Sequence, residues 1–409
     1  MKNLQLKRFT IPLVLLLVIA LPFAIPFKSS GEEELTASDH TQRKTVIQPL
    51  DQNTNFKRFV FDSGYHFEYP DAVRGIYVTG HSAGGSRFDS LIKLVNTTDL
   101  NAMVIDIKDD FGNLTFTPEK GSPFAELGQN YIKDPVKMMQ TLEENNIYPI
   151  ARIVVFKDSV LANSNPELSF TENDGTVWKN GRGESFVNPF LKEVWDHNVA
   201  IAKIAAEMGF QEIQFDYVRF PEGFERRDKE LGYSEGEYAD DDIDNVQKRV
   251  QAVTDFVAYA KKELEAYDVD VAVDIFGYSA TIPEAPGIGQ NFSKISENVD
   301  VISSMIYPSH WSNNYFGIPL PDREPYRLTD EYAKVENEVL GKLANPPVSR
   351  PWIQDFEAPW IYNGTGIPVT QYGKAEVEAQ IKALQDNGIH EFLIWNAGNS
   401  YTQNVDYTP

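Results

Sequence analysis

The chain has 409 residues, 42 % of them hydrophobic and 12 % aromatic, which is enough to bury a large core and excludes wholesale disorder. Sixty acidic against 37 basic residues give a net charge of −23, which repels phosphates and excludes a general nucleic-acid binder. No cysteine is present, so disulfide scaffolds, thiolate metal sites and cysteine nucleophiles are excluded as well, and the six histidines form no metal-ligand pair at helical spacing.

Lys2, Lys7 and Arg8 precede an apolar run of about 17 residues from Ile11 to Phe27, followed by Lys28 and Glu32-Glu33-Glu34. A positive start and an apolar middle read as a secretory signal or a retained membrane anchor over residues 1–28. The run is at the short edge of what spans a bilayer, and no clear cleavage site follows, so both readings stay open. Either one places the remainder outside the cytoplasmic membrane, with membrane contact only if the segment is retained. Residues 29–71 are polar and without sustained periodicity, and read as a linker.

From residue 72 to 409, β-rich runs alternate with amphipathic stretches. The runs are Arg74–Gly80, Ala102–Lys108, Tyr148–Phe156, Glu212–Phe220, Val269–Gly277, Asp300–Pro308, Arg350–Glu357 and Glu391–Gly398. Between them, helices are predicted over Ser86–Val95, Asp134–Asn145, Pro189–Met208, Asp244–Tyr267, Asn291–Glu297, Thr329–Leu343 and Lys374–Asp386. This order predicts an α/β fold, a (β/α)8 TIM barrel, with a doubly wound open sheet as the alternative. No eighth helix follows the last strand, a gap the preceding linker is expected to cover. Helix-to-strand connections are short and strand-to-helix connections long, as in 157–188 and 221–243. Loops that long are uncommon unless functional, so the site is predicted at the C-terminal ends of the strands.

Two short patterns invite other readings. Gly80-His81-Ser82-Ala83-Gly84 matches the G-x-S-x-G nucleophile elbow. That elbow needs earlier strands to complete its oxyanion hole, and only the polar linker precedes it. A tight first turn, capped by Ser82 or Ser86, is the simpler expectation. Asp240-Asp241-Asp242 lacks EF-hand spacing and reads as a solvated helix start.

The chemistry is expected from carboxylates. Alternation along Glu212–Phe220 puts Ile213, Phe215 and Tyr217 outward and Gln214, Asp216 and Val218 inward; the same parity turns Asp274 inward on the next strand. Neighbouring strands are roughly 4.8 Å apart, so the two carboxyls can meet at the mouth. Such a pair divides into an acid and a base or nucleophile, the requirement of glycoside hydrolysis. Asp106 repeats the pattern with Lys108 on its face as an ion-pair partner. Asp106, Lys108, Arg219, Tyr307, Trp311, Gln354, Asp355, Trp395 and Asn396 are candidates for holding a sugar. Aromatic rings suit its C–H faces and polar groups its hydroxyls. An acidic groove favours neutral or amino-bearing sugars. No cofactor is expected and no metal is assigned. The competing readings are a non-catalytic carbohydrate-binding protein of the envelope and a hydrolase binding a divalent ion through Asp106, Asp216 and Asp274.

The segments GIYVTGHSAGG, VIDIKDD, EIQFDYVRFPEG, VAVDIFGYSAT, MIYPSHW, RPWIQDF and FLIWNAGNSY, in this order, resemble the bacterial "putative glycosyl hydrolase domain" family over about residues 72–407. The resemblance implies a TIM barrel, carbohydrate hydrolysis outside the cell membrane, and Asp216, in D-Y-V-R-F-P, as a catalytic carboxylate. Related glycosidases often use glutamate as the acid, whereas the fifth strand here ends in Asp274.

Overall fold

A computed structural model describes residues 60–408. The strands β1 (Arg74–Val78), β2 (Ala102–Lys108), β3 (Tyr148–Val154), β4 (Glu212–Asp216), β5 (Asp270–Phe276), β6 (Val301–Met305), β7 (Trp352–Gln354) and β8 (Phe392–Trp395) pair in parallel, each with the next. β8 returns to β1, with Arg74 opposite Phe392, so the eight strands close a parallel barrel and the open-sheet alternative falls. Each strand is an apolar run that ends where a turn or a charged residue begins, which is why all eight predicted runs hold a strand. Around the ring lie α1 (Arg87–Asn96), α2 (Pro135–Glu144), α3 (Lys192–Glu207), α4 (Asn245–Leu264), α5 (Phe292–Ser296), α6 (Pro325–Leu340) and α7 (Lys374–Asp386). Their starts are set locally: Asp134 accepts from the Lys137 N–H with Pro135 in the first turn, and Asp244 accepts from Val246 and Gln247. Each such cap contributes about 1 kcal/mol.

The strands bury both faces. Outward residues such as Ile105, Ile153, Phe215, Val273 and Ile394 pack against the helices, while Tyr77, Val104, Ile150, Trp352 and Leu393 fill the interior. Deep in the barrel Arg350 bonds both Glu212 oxygens at 2.7 Å and Glu391 at 2.8 Å, all three side chains fully buried. Residues 60–71 run across that end. The Phe61 N–H donates to the Ala266 carbonyl, the His66 N–H donates to Glu143, and the Tyr69 hydroxyl meets both Glu391 and Arg350 at 2.9 Å. This part of the expected linker is therefore packed structure. The predicted signal or anchor over 1–28 and the linker up to residue 59 lie outside the described residues. No helix among the described residues is long and apolar enough to cross a membrane.

Three local features differ from or add to the sequence reading. The turn after β1 is a single helical turn, Gly80–Ala83, capped by the Thr79 side chain rather than by Ser82 or Ser86. Gly84 closes it against the Tyr131 carbonyl, where a Cβ would lie 1.8 Å away, so packing accounts for this glycine. Second, the short strands Leu114–Phe116 and Gly128–Ile132 form a side sheet that leaves β2 at Lys108, too short and polar to be predicted. Third, the pairing of β2 with β3 slips between Asp106 and Lys108, and this bulge breaks the alternation that put both on one face.

Candidate active site

A cavity of about 690 Å3 opens at the C-terminal ends of the strands. Asp110, Arg152, Arg182, Asp216, Arg219, Asp274, Tyr307 and Trp395 are among its lining residues, all from strand ends or the loops after them. Asp216 and Asp274 both point into it from adjacent strands, as the parity argument expected. Its lining mixes Asp110, Asp216, Glu222 and Asp274 with Arg152, Arg182 and Arg219, so carboxylates and guanidiniums face the same space.

The two aspartates have opposite surroundings. Arg152, fully charged and almost completely buried, reaches up from β3 and donates through Nε at 2.9 Å and through its second terminal nitrogen at 2.6 Å to one oxygen of Asp216. The other Asp216 oxygen accepts the Tyr217 N–H at 2.6 Å. Tyr217 adopts a left-handed backbone (φ 52°), which stores strain of order 1 kcal/mol at the strand end. Among the described residues no cation forms an ion pair with Asp274. It is bonded by the Trp352 indole N–H at 2.7 Å, and burial together with the nearby Asp216 charge pushes its carboxyl well above the usual carboxylate range. One member of the pair is thus ion-paired with a buried arginine, while burial biases the other toward its protonated form. Burial, with the neighbouring Asp216 charge, also raises the Tyr307 phenol, which stays a hydrogen-bond donor at the same mouth.

Arg152 links more than Asp216. Its other terminal nitrogen bonds Asp106 at 2.7 Å, and the same group that meets Asp216 meets Asp110 at 2.9 Å. Asp106 also accepts the Tyr77 hydroxyl at 2.5 Å. The guanidinium thus occupies the space beside Asp106 and Asp216, two of the three carboxylates (with Asp274) that the metal-binding reading assigned to a divalent ion. Asp106 stands behind Arg152, outside the cavity lining.

Among the other candidates, Arg219, Tyr307, Trp311 and Trp395 line the cavity. Arg219 is stacked 4.7 Å from both the Tyr217 and Phe276 ring centres, and Trp395 lies 4.1 Å from Tyr77 in a parallel stack. Lys108 does not pair with Asp106. The bulge turns it under α3, where it meets Asp158 at 2.6 Å and Asn198 at 3.0 Å in full burial. Gln354 ties the loops after β6 and β7 through the Ser309 N–H, Asp322 and the Phe356 carbonyl. Asp355 caps Thr402 through its N–H and hydroxyl, and Asn396 holds the Asp355 and Ser400 carbonyls. These four brace the mouth without lining it. Ser82 of the elbow-like motif meets the Thr79 hydroxyl and stays outside the cavity.

Two contributors went unnoticed in the sequence. Arg152 is a lone arginine in YPIARIV, two residues from inward-facing Ile150, and the parity rule applied to Asp216 identifies it equally. Trp352 has the inward parity of Arg350 on β7.

A family model described as "Putative glycosyl hydrolase domain" matches residues 75–401. Among solved structures, a hypothetical protein of Ruminiclostridium thermocellum ATCC 27405 is 32 % identical, over 49 % of this chain and 96 % of that one, with a TM-score of 0.41. The PgaB (BpsB) glycoside hydrolase domain of Bordetella bronchiseptica is 15 % identical, over 80 % and 94 % of the two chains, with a TM-score of 0.53, a likeness of fold alone. No curated protein matches the sequence.

Proposed function

The chain belongs to the family described as "Putative glycosyl hydrolase domain", and from that premise we propose that it is a metal-independent glycosidase acting on a bacterial cell-wall or extracellular polysaccharide, outside the cytoplasmic membrane. The observation that carries the reading is the Asp216–Asp274 pair: two carboxyls on adjacent strands, in one solvent-open cavity, in opposite environments. Asp274 is the general acid. Its proton passes to the glycosidic oxygen as the C1–O bond breaks and the leaving sugar departs as an alcohol. Asp216, kept in place by Arg152 and Tyr217, faces the positive charge that develops on the sugar ring, and either attacks C1 or takes a proton from the attacking water. Arg219, Tyr307, Trp311 and Trp395 hold the sugar, with hydroxyls on the polar groups and C–H faces on the rings.

The test is incubation of the purified protein with a panel of bacterial surface polysaccharides, read as new reducing ends and by mass spectrometry. Asp274→Asn and Asp216→Asn each should lower turnover by at least about a hundredfold. Undiminished turnover in either variant removes that residue from the mechanism.

One observation favours the non-catalytic binding reading: both oxygens of Asp216 already accept N–H groups, which weakens it as a nucleophile. That reading predicts glycan retention on affinity gels with no product, unchanged in the double Asn variant.

A further inference from the structure

Trp360 is the most exposed tryptophan of the barrel, 52 % accessible, on a turn after β7. A single exposed indole needs no explanation by itself. What sets this one apart is the row of rings leading to it from the floor of the cavity. Trp395, stacked on Tyr77, lies 6.4 Å from Tyr307; Tyr307 lies 5.7 Å from Phe356; and Phe356 lies 6.2 Å from Trp360 with their planes only 19° apart. The row starts beside the carboxyl pair and ends in water.

The turn that carries Trp360 is fixed rather than loose. Pro359 opens it, and Tyr362 anchors it through a 2.6 Å hydrogen bond to buried Asp322. A polar edge stands next to the indole: His310 lines the cavity, its ring 6.3 Å from Trp360 and nearly perpendicular to it. Ser309 engages the Nδ1 of His310 at 3.0 Å, so the Nε2 edge is the one left for a ligand. Burial lowers the His310 pKa, which keeps the ring neutral at pH 7 and suited to a neutral hydroxyl.

We propose that Trp360 and the Nε2 edge of His310 form an outer subsite that takes an uncharged pyranose residue of the substrate chain, beyond the units held in the cavity. The indole receives the C–H face of the ring, where flat apolar contact is available without desolvating a hydroxyl, and His310 meets one hydroxyl at its rim. The protein thus grips a chain of several units, and its affinity grows with chain length. This inference rests on the polysaccharide reading above.

Binding rather than turnover tests it, so loss of the catalytic reading does not decide the outcome. Chitobiose, chitohexaose, maltohexaose and xylohexaose are titrated by calorimetry into the wild-type protein at 4 °C and into Asp274→Asn, each with and without Trp360→Ala. At least one hexasaccharide should bind, about tenfold more weakly after Trp360→Ala, with affinity recovered in Trp360→Tyr and disaccharide binding unchanged. An equal loss for disaccharide and hexasaccharide, no loss at all, or no binding of any hexasaccharide overturns the subsite. Because the residue is exposed, Trp360→Ala should leave the unfolding midpoint in place; a marked fall would assign it to packing and likewise overturn the proposal.

Discussion

The indole N–H of Trp352 donates to one oxygen of Asp274 at 2.7 Å, a hydrogen bond from β7 to β5 across the barrel. It is the only direct protein hydrogen bond to that carboxyl among the described residues, and it leaves the second oxygen to carry the proton. The bond favours the ionised form and so moderates a pKa that burial and Asp216 drive upward. In Trp352→Phe that restraint is gone, the pKa rises further, and Asp274 keeps its proton to higher pH. The alkaline limb of kcat/KM should therefore move to higher pH, at a stability cost of about 1–3 kcal/mol. A limb that stays in place, or moves to lower pH, separates Asp274 from the acid role.

Arg152 holds Asp106, Asp110 and Asp216 with all three of its side-chain nitrogens, a planar geometry an ammonium cannot copy. Arg152→Lys should keep the fold but misplace Asp216, lowering kcat about a hundredfold with a smaller change in KM. Dialysis against a chelator should leave the wild-type rate unchanged, because a guanidinium already neutralises these carboxylates. Activity lost to the chelator and restored by a divalent ion would return the metal-dependent reading.

Asp106 provides a pH test. Burial outweighs its contacts with Arg152 and Tyr77 and pushes its carboxyl up to about 6 from 3.8. The folded state then binds the proton more tightly than the unfolded chain. The stability this contributes is complete below about pH 4 and is lost as pH rises through about 6. Asp106→Asn lacks the titration, so relative to wild type it should gain up to about 3 kcal/mol between pH 4 and pH 7, read by urea unfolding. A difference that does not vary with pH refutes the assignment.

The Arg350 cluster predicts a change in stability. Arg350→Met leaves Glu212 and Glu391 buried without their cation, and should cost about 3–5 kcal/mol in chemical denaturation. Proton uptake by Glu212, already raised by burial, should soften the loss at low pH. A loss below about 1 kcal/mol at pH 7 would mean that water reaches the cluster.

Most of the barrel was legible because its strands are short apolar runs with clear ends, and because the long loops all lie on one side. Asp216 and Asp274 followed from parity alone, since an ionisable residue in a regular strand has only two ways to point. The same rule misplaced Lys108, because a one-residue bulge is a tertiary accommodation with no local signature. Gln354, Asp355 and Asn396 were harder still: each sits where a strand ends and alternation stops, so their partners depend on loops remote in sequence. Arg152 has the same inward parity, but a lone arginine in a strand carries no local sign that it organises three carboxylates.

The segment before β1 also sets how short a working version of this protein can be. Tyr69 closes over Arg350 and Glu391, and Phe67 packs on the same interior cluster. A chain trimmed to the family match, beginning at residue 75, would therefore expose the barrel floor to solvent and hydrate its innermost charges. A shortened chain therefore has to keep at least Phe67 and Tyr69, upstream of the first strand.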